Sequence, residues 1–186
     1  LITGKTGSGK TSLLRTISGL WKSGSGGVIR PPLNEIMFLP QVPYMPLGSL
    51  REQLSYPGET IWDDAKLLGI LRQVDLNELV DRFELDTECN WSEILSQGEQ
   101  QRLAFGRLLL KSPRFAFLDE ASSALDSASE QRLYGLLQDT NIVFVSIGHR
   151  ASLRRYHSEE LELGPDASWR LRTIERSAEI ANKRST

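Results

Sequence analysis

Gly4-Lys5-Thr6-Gly7-Ser8-Gly9-Lys10-Thr11, with Ser12 next in line, has the residue types and spacing of a loop that holds phosphate, G-x-x-x-x-G-K-[ST]. Its glycines let the backbone curl so that successive N–H groups face inward, and a helix beginning near Lys10 would add its positive N-terminal end. A polyphosphate fits that concavity. Lys10 would bridge the β- and γ-phosphates as a point charge, and the Thr11 hydroxyl would ligate Mg2+. An ordinary glycine-rich turn would lack the strand before and the helix after that the flanking residues predict here.

Phe115-Ala116-Phe117-Leu118-Asp119-Glu120 sets two carboxylates at the end of an apolar strand, where a doubly wound sheet places its ligands. Asp119 can reach a magnesium shell. Glu120 would face a water opposite the leaving diphosphate, orienting it or accepting its proton. Alone, such an acidic pair reads equally well as a surface turn. Behind a phosphate loop it reads as the other half of a site for ATP and Mg2+.

These residues need a sheet with helices on it. The opening residues predict a strand into Thr3, then a helix from about Lys10 to Leu20 and strands at Val28 to Arg30 and Ile36 to Leu39. Between 51 and 95, Ala65, Leu67, Leu68, Leu71, Val74, Leu76 and Leu79 recur at helical spacing, which predicts a mostly helical insertion. A helix from about Gly98 to Lys111 is stopped by Pro113, and the strand Phe115 to Leu118 follows. Ser127 and Glu130 have capping-box spacing for a helix through about Gln138, and Ile142 to Val145 is another buried strand. Beyond Leu163 only Ser168 to Arg172 has a strand pattern, and 174–186 is a polar tail, frayed or disordered.

The 186 residues suit one ATPase domain, 1–186, and the composition (39% hydrophobic, 25% charged) is that of an ordinary globular chain. The sequence opens on Leu1-Ile2-Thr3 without a methionine, as if the start of a strand were missing, and is read as a fragment. A net charge of -2 argues against a broad nucleic-acid surface. Cys89 is the only cysteine, so neither an intrachain disulfide nor a thiolate metal cluster can form. The apolar runs are far shorter than the roughly 20 residues that span a bilayer.

Leu95-Ser96-Gln97-Gly98-Glu99, ahead of Gln100-Gln101-Arg102, resembles the signature of ABC-type ATPases. By itself Ser-x-Gly-Glu is a good helix start. The commonest signature has Gly and Gln where this chain has Gln97 and Glu99, a departure that bears on affinity. In that family the segment binds the γ-phosphate of ATP on the opposite subunit, so two domains meet head to tail. The resemblance extends to three more positions. Gln41 matches the glutamine that reaches magnesium and the attacking water and senses the membrane partner. Ser123-Ala124-Leu125-Asp126 matches the loop that crosses the dimer interface, with Asp126 beside the nucleotide. His149 matches the switch histidine on the γ-phosphate, whereas His157 reads as structural. Phe38 to Met45, Gly48 to Leu54, Tyr56-Pro57, Gly19-Leu20-Trp21 and Ser146 to Arg150 look like subfamily D, half-transporters of peroxisomes, lysosomes, plastids and bacteria that move acyl-CoA or fatty acids or handle cobalamin.

The resemblance covers Leu1 to about Leu163. It implies a three-layer α/β P-loop NTPase core of ABC type with a helical subdomain insertion, hydrolysing Mg-ATP in a dimer. Glu120, His149 and Gln41 would be catalytic; Thr11, Gln41 and Asp119 would hold the metal; Gly4 to Ser12, Ser96 to Glu99 and Asp126 would hold nucleotide. A second ABC ATPase domain and a transmembrane domain upstream on the same polypeptide are the implied partners, with Gln41 to Tyr56 as the docking surface on the cytosolic or stromal face of a membrane. The adenine-stacking aromatic of the family would lie upstream of Leu1, and the tryptophans are read as core or interface residues. A soluble ABC ATPase acting on DNA or in translation is the alternative. Such proteins usually carry long coiled-coil insertions or tandem ATPase units, which this chain does not show. A dead ATP-binding regulator is opposed by the presence of Lys10, Asp119, Glu120 and His149.

Overall fold

The computed structural model describes residues 1–21, 24–58 and 60–175. Along the chain run β1 (Ile2–Gly4), α1 (Lys10–Ile17), β2 (Ile36–Leu39), β3 (Gly48–Ser49), α2 (Leu50–Ser55), α3 (Asp64–Gln73), α4 (Asn77–Arg82) and β4 (Glu88–Cys89). They are followed by α5 (Trp91–Ile94), α6 (Gln97–Lys111), β5 (Phe115–Asp119), α7 (Ser127–Gln138), β6 (Val143–Ile147), β7 (Glu159–Leu163) and β8 (Trp169–Thr173). The chain divides into two units, Leu1–Arg30 with Val145–Thr186, and Pro31–Phe144. The expected polar tail lies, from residue 176 on, outside the described residues.

In the first unit β1 lies between β6 and β7 and is parallel to both, with Ile2 opposite Ile147 and Leu161 and Gly4 opposite Leu163. The carboxyl ends of β1 and β6 therefore open at one edge, where a parallel sheet presents its ligand loops. The β7 strand, a run of Glu-Glu-Leu-Glu-Leu without a strong apolar signal, escapes sequence reading; β8 pairs with it antiparallel, from Leu163 opposite Trp169 to Glu159 opposite Thr173. Helix α1 ends at Ile17, short of the expected Leu20. Gly19 takes a left-handed φ of 79°, its N–H donates to Thr16 O at 3.0 Å and the Leu20 N–H to Arg15 O at 2.8 Å, closing a Schellman motif. The expected strand at Val28 to Arg30 is absent; Val28 and Ile29 are exposed and form no ladder.

His157 is a structural histidine of this unit. It is buried, with Nδ1 at 2.9 Å from Leu153 O and Nε2 at 3.1 Å from Ser146 Oγ. A carbonyl only accepts, so Nδ1 carries the proton and the neutral ring accepts the serine O–H at Nε2. Burial lowers its pKa from 6.5 to about 4. The folded state thus prefers the neutral ring, a contribution of about 3 kcal/mol that is complete above the unfolded value of 6.5 and is lost as pH falls toward about 4. Denaturation of the parent and of His157→Gln should therefore differ most at neutral pH and converge over that window; a pH-independent gap would refute the assignment.

In the second unit β2 and β5 are parallel, from Ile36 opposite Phe115 to Leu39 opposite Leu118, so the segments after Leu39 and after Asp119 also leave at a common edge. The expected helical insertion contains α2 to α5, and a small antiparallel pair, β3 with β4, lies alongside. Leu50, Leu54, Leu67, Leu71, Val74 and Trp91 are buried with Leu103, Phe105 and Leu108 of α6, and the Trp91 indole N–H donates to Gly48 O at 2.8 Å. Burial of each such side chain contributes roughly 1.5–3 kcal/mol. Helix α7 is capped by Asp126 rather than through Ser127, because the Asp126 carboxylate accepts the Ser129 N–H at 2.8 Å.

Candidate functional site

The phosphate loop joins β1 to α1, and three of its glycines, Gly4, Gly7 and Gly9, have φ of 143°, 82° and 90°, a region closed to most side chains. A Cβ on Gly4 would also collide with the Leu163 carbonyl oxygen. Lys10 is buried, and its Nζ donates to the carbonyl oxygens of Gly4 and Lys5, each at 2.9 Å. Neither bond neutralises the ammonium. The Ser8 hydroxyl, buried within the loop, has no hydrogen-bond partner among the described residues. A buried cation held by carbonyl dipoles and a buried hydroxyl without a partner among the described residues, in a loop leading into a helix N-terminus, are groups that a polyphosphate would satisfy.

His149 is exposed and follows β6 by two residues, while Ile2 opposite Ile147 brings the end of that strand beside β1. The histidine and the phosphate loop thus leave neighbouring strands of the first unit at the same edge. A Cβ at Gly148 would meet the end of the Leu153 side chain, which would have to shift to admit it. The turn is held from behind, because His157 bonds Ser146 on β6 and Leu153 in the 3-10 turn Ala151–Tyr156.

In the second unit Asp119, buried at the end of β5, precedes Glu120, whose φ of 49° is left-handed. Holding a non-glycine residue there costs on the order of 1–3 kcal/mol, strain that concentrates at functional sites. Gln41 follows β2 by two residues, and its Nε2 donates to Glu120 Oε2 at 3.1 Å. Because a carboxylate cannot donate, this bond fixes the amide orientation and leaves Gln41 Oε1 as an acceptor. In this unit the Gln41 amide oxygen and the Asp119 carboxylate, and in the first unit the Thr11 hydroxyl, are each oxygen groups of the kind that Mg2+ accepts. Among the described residues no cluster of three or more His, Cys, Asp or Glu could hold a metal by itself.

The signature serine is the N-cap of α6. Ser96 N and Oγ both donate to Glu99 Oε2, at 2.9 and 2.6 Å, and Ser96 Oγ accepts the Glu99 N–H at 3.3 Å, a complete capping box worth about 1 kcal/mol. Burial pushes the Glu99 carboxyl up, but these bonds from Ser96, with Arg102 nearby, outweigh it and hold it below its usual range. Glu99 in place of the commoner glutamine is thereby used locally. Gly98 cannot be replaced freely: a Cβ would lie 3.3 Å from Ala124 O, so the helix start packs against the loop that carries Asp126. Both Asp126 oxygens are engaged with Ser129. The backbone and hydroxyl bonds from Ser129 keep its carboxyl below the usual value.

Sequence reading missed two buried polar residues on α6. Gln101 contacts the segments of Gln41 and of Ser123, and Arg107 donates to Gln53 O at 2.6 Å and Tyr44 O at 2.7 Å. Burial lowers the Arg107 pKa to about 10. That arginine anchors the segment whose Val42, Tyr44 and Leu47 are 64%, 61% and 81% exposed.

The profile of the family described as ABC transporter matches residues 1–123. An uncharacterized ABC transporter ATP-binding protein of Synechocystis sp. is 51% identical over 94% of this chain and 27% of its own length. The lysosomal cobalamin transporter ABCD4 of Homo sapiens is 44% identical over 94% of this chain and 31% of its own length. ABC transporter D family member 2, chloroplastic, of Arabidopsis thaliana is 39% identical over 94% of this chain and 32% of its own length. The chain thus spans about a third or less of these relatives. Among solved structures, a bacterial Atm1-family ABC exporter with ATP bound superposes with a TM-score of 0.74 at 25% identity, over 87% of this chain and 31% of that one.

Proposed function

The chain belongs to the ABC transporter family, with the P-loop NTPase fold of its ATP-binding domain, and on that premise we propose that it hydrolyses Mg-ATP to drive a membrane transporter of the subfamily D type. Lys10 carries this reading: a buried ammonium turned onto the carbonyls of its own loop, in the same loop as the buried, unpartnered Ser8 hydroxyl, suits an anionic ligand. In use, Lys10 turns to the β- and γ-phosphates, and the loop N–H groups with the α1 N-terminus take up the remaining charge. Glu120, kept in place by Gln41, orients the attacking water and accepts its proton. His149 contacts the γ-phosphate. Thr11, Gln41 and Asp119 would hold the magnesium ion, which when bound neutralises charge developing on the phosphate oxygens.

Ser96 and Gly98 of a second copy complete each nucleotide site, so ATP closes the pair and hydrolysis reopens it. The apolar surface of Val42, Tyr44 and Leu47 docks the membrane-embedded part of the transporter, on the cytosolic or stromal face. No helix among the described residues is long and apolar enough to cross a membrane. The relatives named above are described as transporters or their ATP-binding proteins, which supports transport over action on DNA or the ribosome, and a hydrophobic, fatty acyl type of cargo follows the subfamily D resemblance. Full-length protein in lipid vesicles should hydrolyse ATP with Mg2+ present and stop on chelation. Hydrolysis that persists in excess chelator, or none under either condition, would reject the proposal.

A further inference from the structure

Gln101, on the second turn of α6, is fully buried, at a position where an apolar residue would be the ordinary choice. Its Nε2 donates to the Gln41 carbonyl at 2.9 Å and to the Ser123 hydroxyl at 3.2 Å, and its Oε1 accepts the Ala124 backbone N–H at 2.9 Å. The orientation is forced, since the Ala124 N–H can only donate and the Gln41 carbonyl can only accept. One side chain therefore joins the helix that begins at Ser96, the turn after β2 and the loop after β5. The turn and the loop are themselves linked, because the Gln41 side chain donates to Glu120 and the Glu120 carbonyl accepts the Ser123 N–H at 3.0 Å. The result is a closed ring of contacts with the Gln41–Glu120 pair on its rim.

We propose that Gln101 is a positioning residue for ATP hydrolysis, one that sets the Gln41–Glu120 pair and the 123–126 loop in register with the signature helix. It touches no reacting atom. Its action passes through the Gln41 backbone, whose displacement would move the amide that holds Glu120. When the N-terminus of α6 engages nucleotide, the same side chain carries any shift of that helix to both segments. The kinetic part rests on the ATPase reading above; the tie between the segments stands on the hydrogen bonds alone.

The test uses full-length protein carrying Gln101→Leu and Gln101→Glu. Leucine fills the space but leaves the Gln41 carbonyl and the Ala124 N–H without partners. Amide hydrogen exchange without nucleotide should then rise in 41–44 and in 121–126 together. ATP turnover should fall about 10- to 100-fold with KM within about twofold, because misplacing a catalytic group by about 1 Å costs on the order of 10²-fold. Glutamate can still accept from Ala124 but as a carboxylate donates nothing to Gln41; protonated, it regains one O–H donor. Its kcat relative to the parent should rise as pH is lowered, a response that loss of packing would not give. Should the leucine variant fail to fold, the glutamate variant carries the exchange and kinetic measurements. Exchange unchanged in either segment, parental kcat, a KM effect exceeding the kcat effect, or a pH-independent glutamate-to-parent ratio would overturn the proposal. Absence of turnover in the parent would instead sink the ATPase reading, while exchange still decides whether Gln101 ties the segments.

Discussion

Glu120→Gln should bind ATP and turn it over roughly 10²- to 10⁴-fold more slowly, the range typical for removal of a general base. The substitution is informative because the local structure need not change. Gln41 Nε2 donates to Glu120 Oε2 at 3.1 Å, and an amide oxygen at the same place can still accept that bond, though more weakly than a carboxylate. The left-handed backbone at φ 49° belongs to the turn and is as strained for glutamine as for glutamate. The negative charge and, with it, the capacity to take a proton from water disappear. Near-normal hydrolysis by this variant would remove Glu120 from the role of base.

Lys10→Ala should weaken ATP binding about 10- to 100-fold, the equivalent of one hydrogen bond to a charged group. Its effect differs in kind from that at Glu120. The ammonium lies within 2.9 Å of two loop carbonyls, and deleting it leaves those oxygens lining a space meant for anions, so the loop loses its countercharge and turns repulsive. The measurement is nucleotide titration rather than turnover. Unchanged ATP affinity would contradict the assignment of Lys10 to the phosphates.

What sequence reading could reach here follows the distance over which each signal acts. The phosphate loop is local: its glycines, its lysine and the strand and helix around it fall within 17 residues, and backbone geometry demands those residue types at those places. The acidic pair is legible for the same reason, as polar residues closing an apolar run. Gln41 and His149 carry no local pattern, and only resemblance singles them out; their environment emerges from strand register, Leu39 opposite Leu118 and Ile2 opposite Ile147. Gln101 was invisible because its partners lie 60, 22 and 23 residues away. Nothing in Gln-Gln-Arg tells which glutamine faces solvent and which closes a ring.

The misread elements have equally specific causes. At Val28 to Arg30 a β-rich composition met no partner strand, and β propensity without pairing does not make a strand. At Gly19 the requirement of a left-handed C′ residue overrode the apolar periodicity that predicted a longer helix. At Asp126 and Ser127 two good caps stand side by side, and the first wins because its carboxylate reaches both the N–H and the hydroxyl of Ser129. The β7 strand, Glu-Glu-Leu-Glu-Leu, has no apolar run to mark it, and its pairing to β1 and β8 supplies what its composition does not.

In the proposed mechanism two copies share each ATP, the loop of one copy facing the signature of the other. Sedimentation of the Glu120→Gln variant of the ATP-binding domain, with and without Mg-ATP, reads its association state. A monomer is expected without nucleotide and a dimer with it, and a return to monomer when Ser96→Arg is added, because the bulkier residue blocks the surface that closes on the γ-phosphate. A variant that binds ATP yet stays monomeric, or a dimer indifferent to Ser96→Arg, would contradict it.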